Sequence, residues 1–319
     1  MGDNILCSVV VMIKDPELAT FEACLRSILR SDGEKEILIV TPYPEKLRAR
    51  VPLYPFIKLV KDPGNGIGIA RNIGIDAASS EIICFVDPDA IVGKNHFKKI
   101  VREFEKNPKV GVIGVEGVFG IRVLEKLNHL QRLDILLWER GRVTRVIEKN
   151  TSFAGGTFIA LRKRVWRQIG GFWEWPPYGS DDLDFSFRAA RVGWKIKRIR
   201  VIGSFHYPRP TLRELFKEQF GWGRGYACII VKYRNNIDFW KAMRYHFMFY
   251  KLFPKPLYWM IPVMRAMAAP IGGLINGIKW KKLAFFPYWI FRRYAFLLGL
   301  LIGLATWGKR TSPHPADKT

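Results

Sequence analysis

The sequence predicts an α/β protein carrying an apolar, basic helical tail, and three observations support this. Short Val- and Ile-rich runs at Leu6 to Ile13, Ile37 to Val40 and Ile82 to Val86 have the length and composition of buried strands. Segments with helical apolar spacing separate them, the alternation that layers helices on a sheet. Beyond Pro208 the composition turns basic and aromatic, and then almost uncharged.

In chain order, Thr20 to Leu29 (TFEACLRSIL) has helical spacing, and Ala70 to Ala78 (ARNIGIDAA) reads as a helix entered from the glycine-rich GNGIG. Phe97 to Phe104 continues the alternation as a helix and Val110 to Ile113 as a strand. A long amphipathic stretch from Ile121 to Trp138 follows, then the Gly-rich FAGGTFIAL, a helix after Asp181 and the strand-like KIKRIRVIGSF. The expected organisation is a catalytic sheet domain over 1–208, basic amphipathic connecting helices over 209–252, and an apolar-basic, membrane-associated helical region over 253–319.

The net charge of +24 over 319 residues is unevenly placed, net +19 over residues 195–319 against +5 over 1–194. Clustered cations point to a polyanionic partner, either nucleic acid or an anionic membrane. Pro256 to Ile278 holds only Arg265 as a charge and Tyr294 to Trp307 holds none, which favours the membrane. Trp259, Trp280, Lys281, Lys282, Arg292 and Arg293 interleave with these segments as in an interfacial belt. The 14 residues from Tyr294 to Trp307 make a helix of only about 21 Å against a hydrocarbon core of about 30 Å. Pro262 and Pro270 interrupt the earlier segment. Helices embedded in the interface are therefore expected rather than clean spans, with a buried helical subdomain as the competing reading. The N-terminal MGDNILCSVV carries acid before its apolar run and leads straight into a strand, so the catalytic part is expected to face the cytoplasm. Cys7, Cys24, Cys84 and Cys228 show no CxxC spacing, and neither a disulfide nor a zinc site is expected.

Three constellations carry chemistry. CFVDPDA places Asp87 and Asp89 just after an apolar strand, where an open α/β sheet presents groups to its ligand crevice. Two carboxylates there suit a divalent cation shared with substrate phosphates; a turn built on Pro88 is the competing explanation. In SDDLDFSFRAA, Ser180 or Asp181 can cap a helix, and Asp182 in its first turn can accept a proton from an acceptor hydroxyl. Asp184 and Arg188 stand at i,i+4 and are expected to pair structurally. In GSFHY, His206 can ligate a metal through a neutral imidazole, although lone histidines are usually structural. The glycines of GNGIGIARN stand at 64, 66 and 68, which is not a dinucleotide fingerprint. Arg71 and Asn72 at that helix start can approach a diphosphate, or Asn72 can simply hold the loop.

Taken together, CSVVVMIKD, GIGIARNIGIDAASSEIICFVDPDA, FAGGTFIALRKRVWRQIGGF and SDDLDFSFRAARVGWKI resemble the family 2 glycosyltransferases in order and spacing across residues 5 to 225. The resemblance implies the GT-A fold, a mixed sheet flanked by helices. It implies that Asp87 helps hold the nucleotide ribose, that Asp89 binds Mn2+ or Mg2+ on the diphosphate, and that His206 completes that site. Asp182 matches the family's catalytic base and Asp181 stands where glutamate usually precedes it. Gly155 and Gly156 fall where the acceptor meets the donor sugar, and Asp15, Arg71 and Asn72 join Asp87 in holding the nucleotide sugar. Met12, Ile13 and Lys14 depart from the pattern, where proline and an aromatic are usual. The apolar tail looks like those of relatives that glycosylate a polyprenyl or dolichyl phosphate or a lipid-linked saccharide. The implied reaction is a single displacement with inversion; with an acceptor phosphate already ionised, Asp182 would orient rather than deprotonate. The rival readings are a sugar nucleotidyltransferase, also built on carboxylates and a metal, and a basic nucleic-acid binder. The apolar tail weighs against the latter, and no nucleic-acid partner is expected.

Overall fold

The hydrophobic runs form the strands around which the first part of the chain is built. The computed structural model describes residues 5–118, 125–143, 149–151, 153–155, 157–174, 179–242, 260, 263–264, 267–279 and 281–307. The chain divides into two units: Met1–Glu125, Val143–Pro177 and Asp181–Tyr207 in one, and Lys126–Arg142, Tyr178–Ser180 and Pro208–Thr319 in the other.

In the first unit, β1 (Cys7–Met12) pairs in parallel with β2 (Lys35–Thr41) and β4 (Ile82–Val86), and β2 pairs with β3 (Ile57–Lys61). The other strands of this sheet are β6 (Val110–Val118), β7 (Lys149–Thr151), β8 (Phe158–Arg162) and β9 (Lys195–Ile202). The strand order is β3-β2-β1-β4-β8-β6-β9-β7. β8 runs antiparallel to both β4 and β6, while β6 and β9 are parallel. The sheet is therefore mixed, as expected.

Each central strand alternates its side chains between two cores, the period of two that a pleat imposes. Val9, Val11, Ile37, Ile39, Cys84 and Val86 face α1 (Phe21–Arg30) and α4 (His96–Lys106), where Phe21, Cys24, Ile28, Phe97, Ile100 and Phe104 are buried. Val10, Leu38, Val40, Ile83 and Phe85 face α3 (Ile67–Ala77), α6 (Lys163–Ile169) and α7 (Asp181–Arg191). Between α1 and α3, Pro44–Leu47 forms the one-turn α2. A short antiparallel pair, β5 (Ala90–Ile91) with β10 (Phe205–His206), stands apart from the main sheet.

The helix predicted from Ala70 begins at Ile67, because the chain turns through Gly64 and Gly66 at positive φ and is already helical after them. The strand predicted over Val110 to Ile113 continues to Val118, nine residues in all, through Gly114 and Gly117. Gly117 allows close approach there: a methyl group on it would collide with the carbonyl oxygen of Ser204. β3 carries no strand signal in the sequence because it is an edge strand with every position at least partly exposed and with two lysines.

In the second unit the described elements are α5 (His129–Val143), α8 (Leu212–Tyr233), α9 (Ile237–Ala242), α10 (Ala269–Lys279) and α11 (Phe285–Trp307). Reciprocal bonds cap α5, Asn128 N–H to Gln131 Oε1 at 3.0 Å and Gln131 N–H to Asn128 Oδ1 at 2.9 Å. Thr211 caps α8 by accepting from Glu214 N–H. Leu133, Leu215, Phe285 and Tyr288 form a small core, and Asp134 is ion-paired and hydrogen-bonded to Arg292 and Tyr288.

The sequence reading of a 14-residue apolar tail helix is corrected here. α11 has 23 residues, about 34 Å, because it continues N-terminally through Arg292 and Arg293 rather than ending at them. By length and composition it can cross a membrane. Trp259, Pro262, Arg265 and Trp280 lie outside the described residues.

α8 and α11 pack backbone against backbone. A methyl on Gly223 would meet the carbonyl oxygen of Phe296, one on Gly299 would meet that of Phe220, and one on Gly303 would lie 2.6 Å from the Ala227 methyl. Small residues at this spacing are what let two helices approach closely without a layer of side chains. Gly223→Ala and Gly299→Ala are each expected to cost about 1–3 kcal/mol of stability through overpacking. Gly221, with nothing within 4 Å of an added methyl, should tolerate alanine; thermal unfolding of the three variants side by side checks this.

Candidate active site

The residues after β4 form a tight turn: Ala90 N–H donates to the carbonyl oxygen of Asp87 at 3.1 Å. The segment is the turn that Pro88 suggested, and the same turn presents the two carboxylates. The turn is anchored on three sides. Asp87 N–H donates to Thr157 O at 3.3 Å, Tyr207 N–H donates to Asp89 O at 3.1 Å, and the Cys24 thiol under the turn donates to Asp87 O at 3.4 Å. Burial pushes that thiol well above the usual cysteine range, so it is neutral and serves as a donor rather than a nucleophile.

The antiparallel pair brings in the third group. His206 lies opposite Ala90 in the β5/β10 register, and its Nε2 stands 3.0 Å from Asp89 Oδ1. Asp87, Asp89 and His206 each offer a ligand atom, all within 4.8 Å of one another. Two carboxylates and an imidazole form a donor set that suits Mn2+ or Mg2+ shared with phosphate oxygens. Asp89 is buried, with Asp87 and His206 partly open, which leaves the cluster approachable from one side.

His206 is set by contacts the sequence did not reveal. Its strand follows a turn at Gly203 with φ of 81°. Ser204 accepts from Gly93 N–H at 2.9 Å and lies 2.8 Å from His96 Nδ1. Complete burial pushes the His96 imidazole down to about 3. A lone histidine at the start of a helix carries no such signal in the sequence.

The proton-accepting candidate stands at the start of α7. Asp182 is half-buried, accepts from Leu183 N–H through Oδ1 at 2.8 Å, and turns Oδ2 toward Gly155. A methyl on Gly155 would lie 2.2 Å from the Phe153 ring and 2.5 Å from that oxygen, so the glycine lets both the ring and the carboxylate come close to the backbone there. Ser186, one turn on in α7, bonds both Ala154 N and Ala154 O at 3.1 Å, which fixes the helix against this strand-entry segment. Gly156 lies outside the described residues.

The remaining predicted residues separate. Asp15 is exposed just beyond β1 and accepts from Glu17 N–H at 3.0 Å, a local turn. Asn72 accepts from Phe172 N–H and Trp166 Nε1–H, both at 2.8 Å, and donates to Phe172 O at 3.0 Å and Glu174 Oε1 at 3.2 Å. That is the loop-holding role of the two alternatives. Arg71 is buried, with Nε 3.0 Å from Asp181 Oδ2. Asp184 and Arg188 pair at 2.6 Å, as the i,i+4 spacing predicted.

Comparison with known proteins places this geometry. Residues 8–170 match the family described as Glycosyl transferase family 2. Poly-beta-1,6-N-acetyl-D-glucosamine synthase of Staphylococcus epidermidis is 24% identical over 242 residues, covering 72% of this chain and 55% of its own length. The synthase of the same name from Staphylococcus aureus (strain COL) is 23% identical over 241 residues, with the same coverage. The chain thus spans about half the length of these relatives. Among solved structures, a mannosyltransferase, PcManGT from Pyrobaculum calidifontis, in complex with GDP-Man and Mn2+, superposes with a TM-score of 0.59 at 17% identity over 96% of this chain and 88% of that one. This bears out the GT-A fold expected from the sequence.

His96 titrates near 6.5 when unfolded and near 3 when folded. Between those values the unfolded state holds the extra proton, so its contribution to stability is complete above about pH 6.5 and declines as the pH falls toward 3. The wild-type stability advantage over His96→Gln should therefore shrink below pH 6.5, by at most ~1.4 kcal/mol per pH unit. Chemical unfolding of both proteins from pH 7.5 to pH 4.5 measures this; a pH-independent difference would contradict it.

Proposed function

We propose, from the premise that the chain belongs to glycosyl transferase family 2, that it transfers a sugar from a nucleotide-sugar donor to a lipid-linked acceptor at a membrane surface, with inversion. The observation that carries this reading is the cluster of Asp87, Asp89 and His206, with ligand atoms within 4.8 Å at the carboxyl edge of β4. Open α/β sheets receive their ligands at this edge, here beside the point where the strand order reverses between β1 and β4.

Asp89 and His206 would hold a divalent cation, with Asp87 beside it toward the nucleotide. Bound there, Mn2+ or Mg2+ supplies positive charge against the departing nucleoside diphosphate. That PcManGT is a mannosyltransferase holding GDP-Man and Mn2+ supports this donor and cofactor class.

The chain's own contribution to bond formation is Asp182. With Oδ1 engaged by Leu183 N–H, its Oδ2 faces Gly155, against which the Phe153 ring also packs. An acceptor hydroxyl entering there meets a carboxylate that can take its proton as the anomeric carbon is attacked. Gly155 borders this acceptor position. Relatives named as polysaccharide synthases support a saccharide hydroxyl as the nucleophile, on a lipid-linked chain.

The membrane part of the proposal rests on the second unit. Ile271, Leu274, Ile275 and Ile278 on α10, and Leu298, Leu301 and Ile302 on α11, are exposed apolar side chains on a segment carrying most of the net positive charge. The proposed orientation has the catalytic unit on the cytoplasmic side.

Two measurements test the proposal. Transfer from UDP-, GDP- or dTDP-sugars in the presence of membranes should vanish with EDTA, return with Mn2+, and remain absent in Asp89→Ala. Asp182→Asn should retain donor binding while lowering turnover about 100-fold or more. Metal-independent transfer, or near-normal turnover in Asp182→Asn, would overturn the corresponding assignment.

A further inference from the structure

We infer that Arg71 acts on the reaction through Asp181, as a positioning residue that fixes the start of α7 and with it the Asp182 carboxylate, rather than by touching the donor diphosphate. The inference rests on the reading of Asp182 as the proton acceptor given above.

Arg71 arrives from α3, 110 residues before Asp181 in the sequence, and its side chain is only 5% exposed, with that of Asp181 at 2%. Its guanidinium carbon lies 5.0 Å from the Phe85 ring centroid and 5.1 Å from that of Phe172, so the charged plane is covered by aromatic faces. Phe172 in turn stacks on Phe185 of α7, with centroids 4.1 Å apart. The cation is therefore enclosed by β4, by the loop after α6 and by α7 itself, with little surface left for a nucleotide. Among the described residues Arg71 Nε and Nη1 and Asp181 Oδ2 make no hydrogen bond of good geometry, and the 3.0 Å contact between Nε and Oδ2 is an ion pair.

Asp181 transmits the constraint. One side of its carboxylate faces Arg71 Nε, and Asp182 is the next residue along α7. Adjacent contacts hold α3 to the same loop: Asn72 bonds Phe172 N and O, and a methyl on Gly68 would collide with the Trp173 carbonyl oxygen. Arg188 bonds Ile169 O and Gly171 O, both at 2.7 Å, from the far side of α7. The start of α7 is thus tied to α3 through one buried ion pair next to the reactive carboxylate. Truncating Arg71 leaves a buried carboxylate without its counter-charge, whereas removing both charges leaves a neutral pocket.

The test compares Arg71→Met, Arg71→Lys and the double variant Arg71→Met/Asp181→Asn with wild type. Each is measured for turnover at saturating donor and for equilibrium binding of the nucleotide sugar that wild type uses, with Mn2+. Arg71→Met is expected to bind the donor within about twofold of wild type while its turnover falls tenfold or more, a loss confined to kcat. The double variant should recover a substantial part of that turnover, because the orphaned charge is gone. Arg71→Lys should lie between, keeping the charge without the planar face that fits between two rings. If Arg71→Met does not fold, Arg71→Lys provides the same split between binding and turnover. Donor binding weakened tenfold or more with saturated turnover unchanged would show contact with the diphosphate and overturn the inference, as would a double variant no better than Arg71→Met. Failure of wild type itself to transfer sugar from any donor would instead defeat the proposed reaction, so the two failures are distinguishable.

Discussion

A single reversal of strand direction determines where the functional groups of the first unit lie. β8 enters the sheet antiparallel between β4 and β6, pairing Val86 with Phe158 at one end and Ile82 with Arg162 at the other. A parallel strand in that place would deliver its preceding residues to the amino edge of the sheet. The antiparallel one delivers Phe153, Ala154 and Gly155 to the carboxyl edge, beside the turn after β4, and Asp87 N–H bonds Thr157 O as a direct result. β9, parallel to β6, ends at the same edge and turns through Gly203 into β10. Three stretches far apart in sequence therefore converge on one rim because the ladder hydrogen bonds leave them no other register.

Electrostatics then divide the acids at that rim into those held in buried ion pairs and those left half-buried. Asp181 and Asp184 are buried against Arg71 and Arg188, and a buried ion is tolerated only when so compensated. Burial raises the Asp181 carboxyl and the Asp184 charge adds to this, with the Arg71 charge as the leading influence against it. Asp182, between them in sequence, points the other way and is half-buried. Helical geometry produces this split: successive residues are rotated by about 100°, so of three acids in four positions, one is carried to the opposite face.

How much of this was legible in the sequence follows from what each signal depends on. β1, β2 and β4 were readable because buried strands of aliphatic residues differ from anything else locally. The pairing of Asp184 with Arg188 was readable because i,i+4 contact is local. β8 and its direction were not, since antiparallel and parallel strands with two buried faces have the same composition. The DPDA turn was weak by itself and became specific only in company with SDDLDF and GSFHY. His96 and Ser204, which tie down the strand bearing His206, are 108 residues apart and individually ordinary. Arg71 was visible, but its direction was not: a helix start suggests a phosphate, while the aromatic rings and Asp181 that enclose it come from three other places in the chain.

The same distinction explains why the tail was underestimated. Charge by identity marks Arg292 as the end of an apolar segment, yet in the folded unit Arg292 is buried with Asp134 and Tyr288, and its guanidinium lies 5.5 Å from the Trp222 ring. A cation neutralised and covered in this way contributes nothing polar to the outer face of the helix. What that face presents is Tyr294, Leu298, Leu301 and Ile302, while the inner face is glycine set against the backbone of α8. Bulky apolar side chains outside and small residues inside reverse the arrangement that water selects and match the one favoured where the surroundings are as apolar as the side chains. The quantity that decides contact with lipid is therefore the exposed face of the packed helix, and a hydropathy average over its sequence counts a buried arginine as though it were on that face.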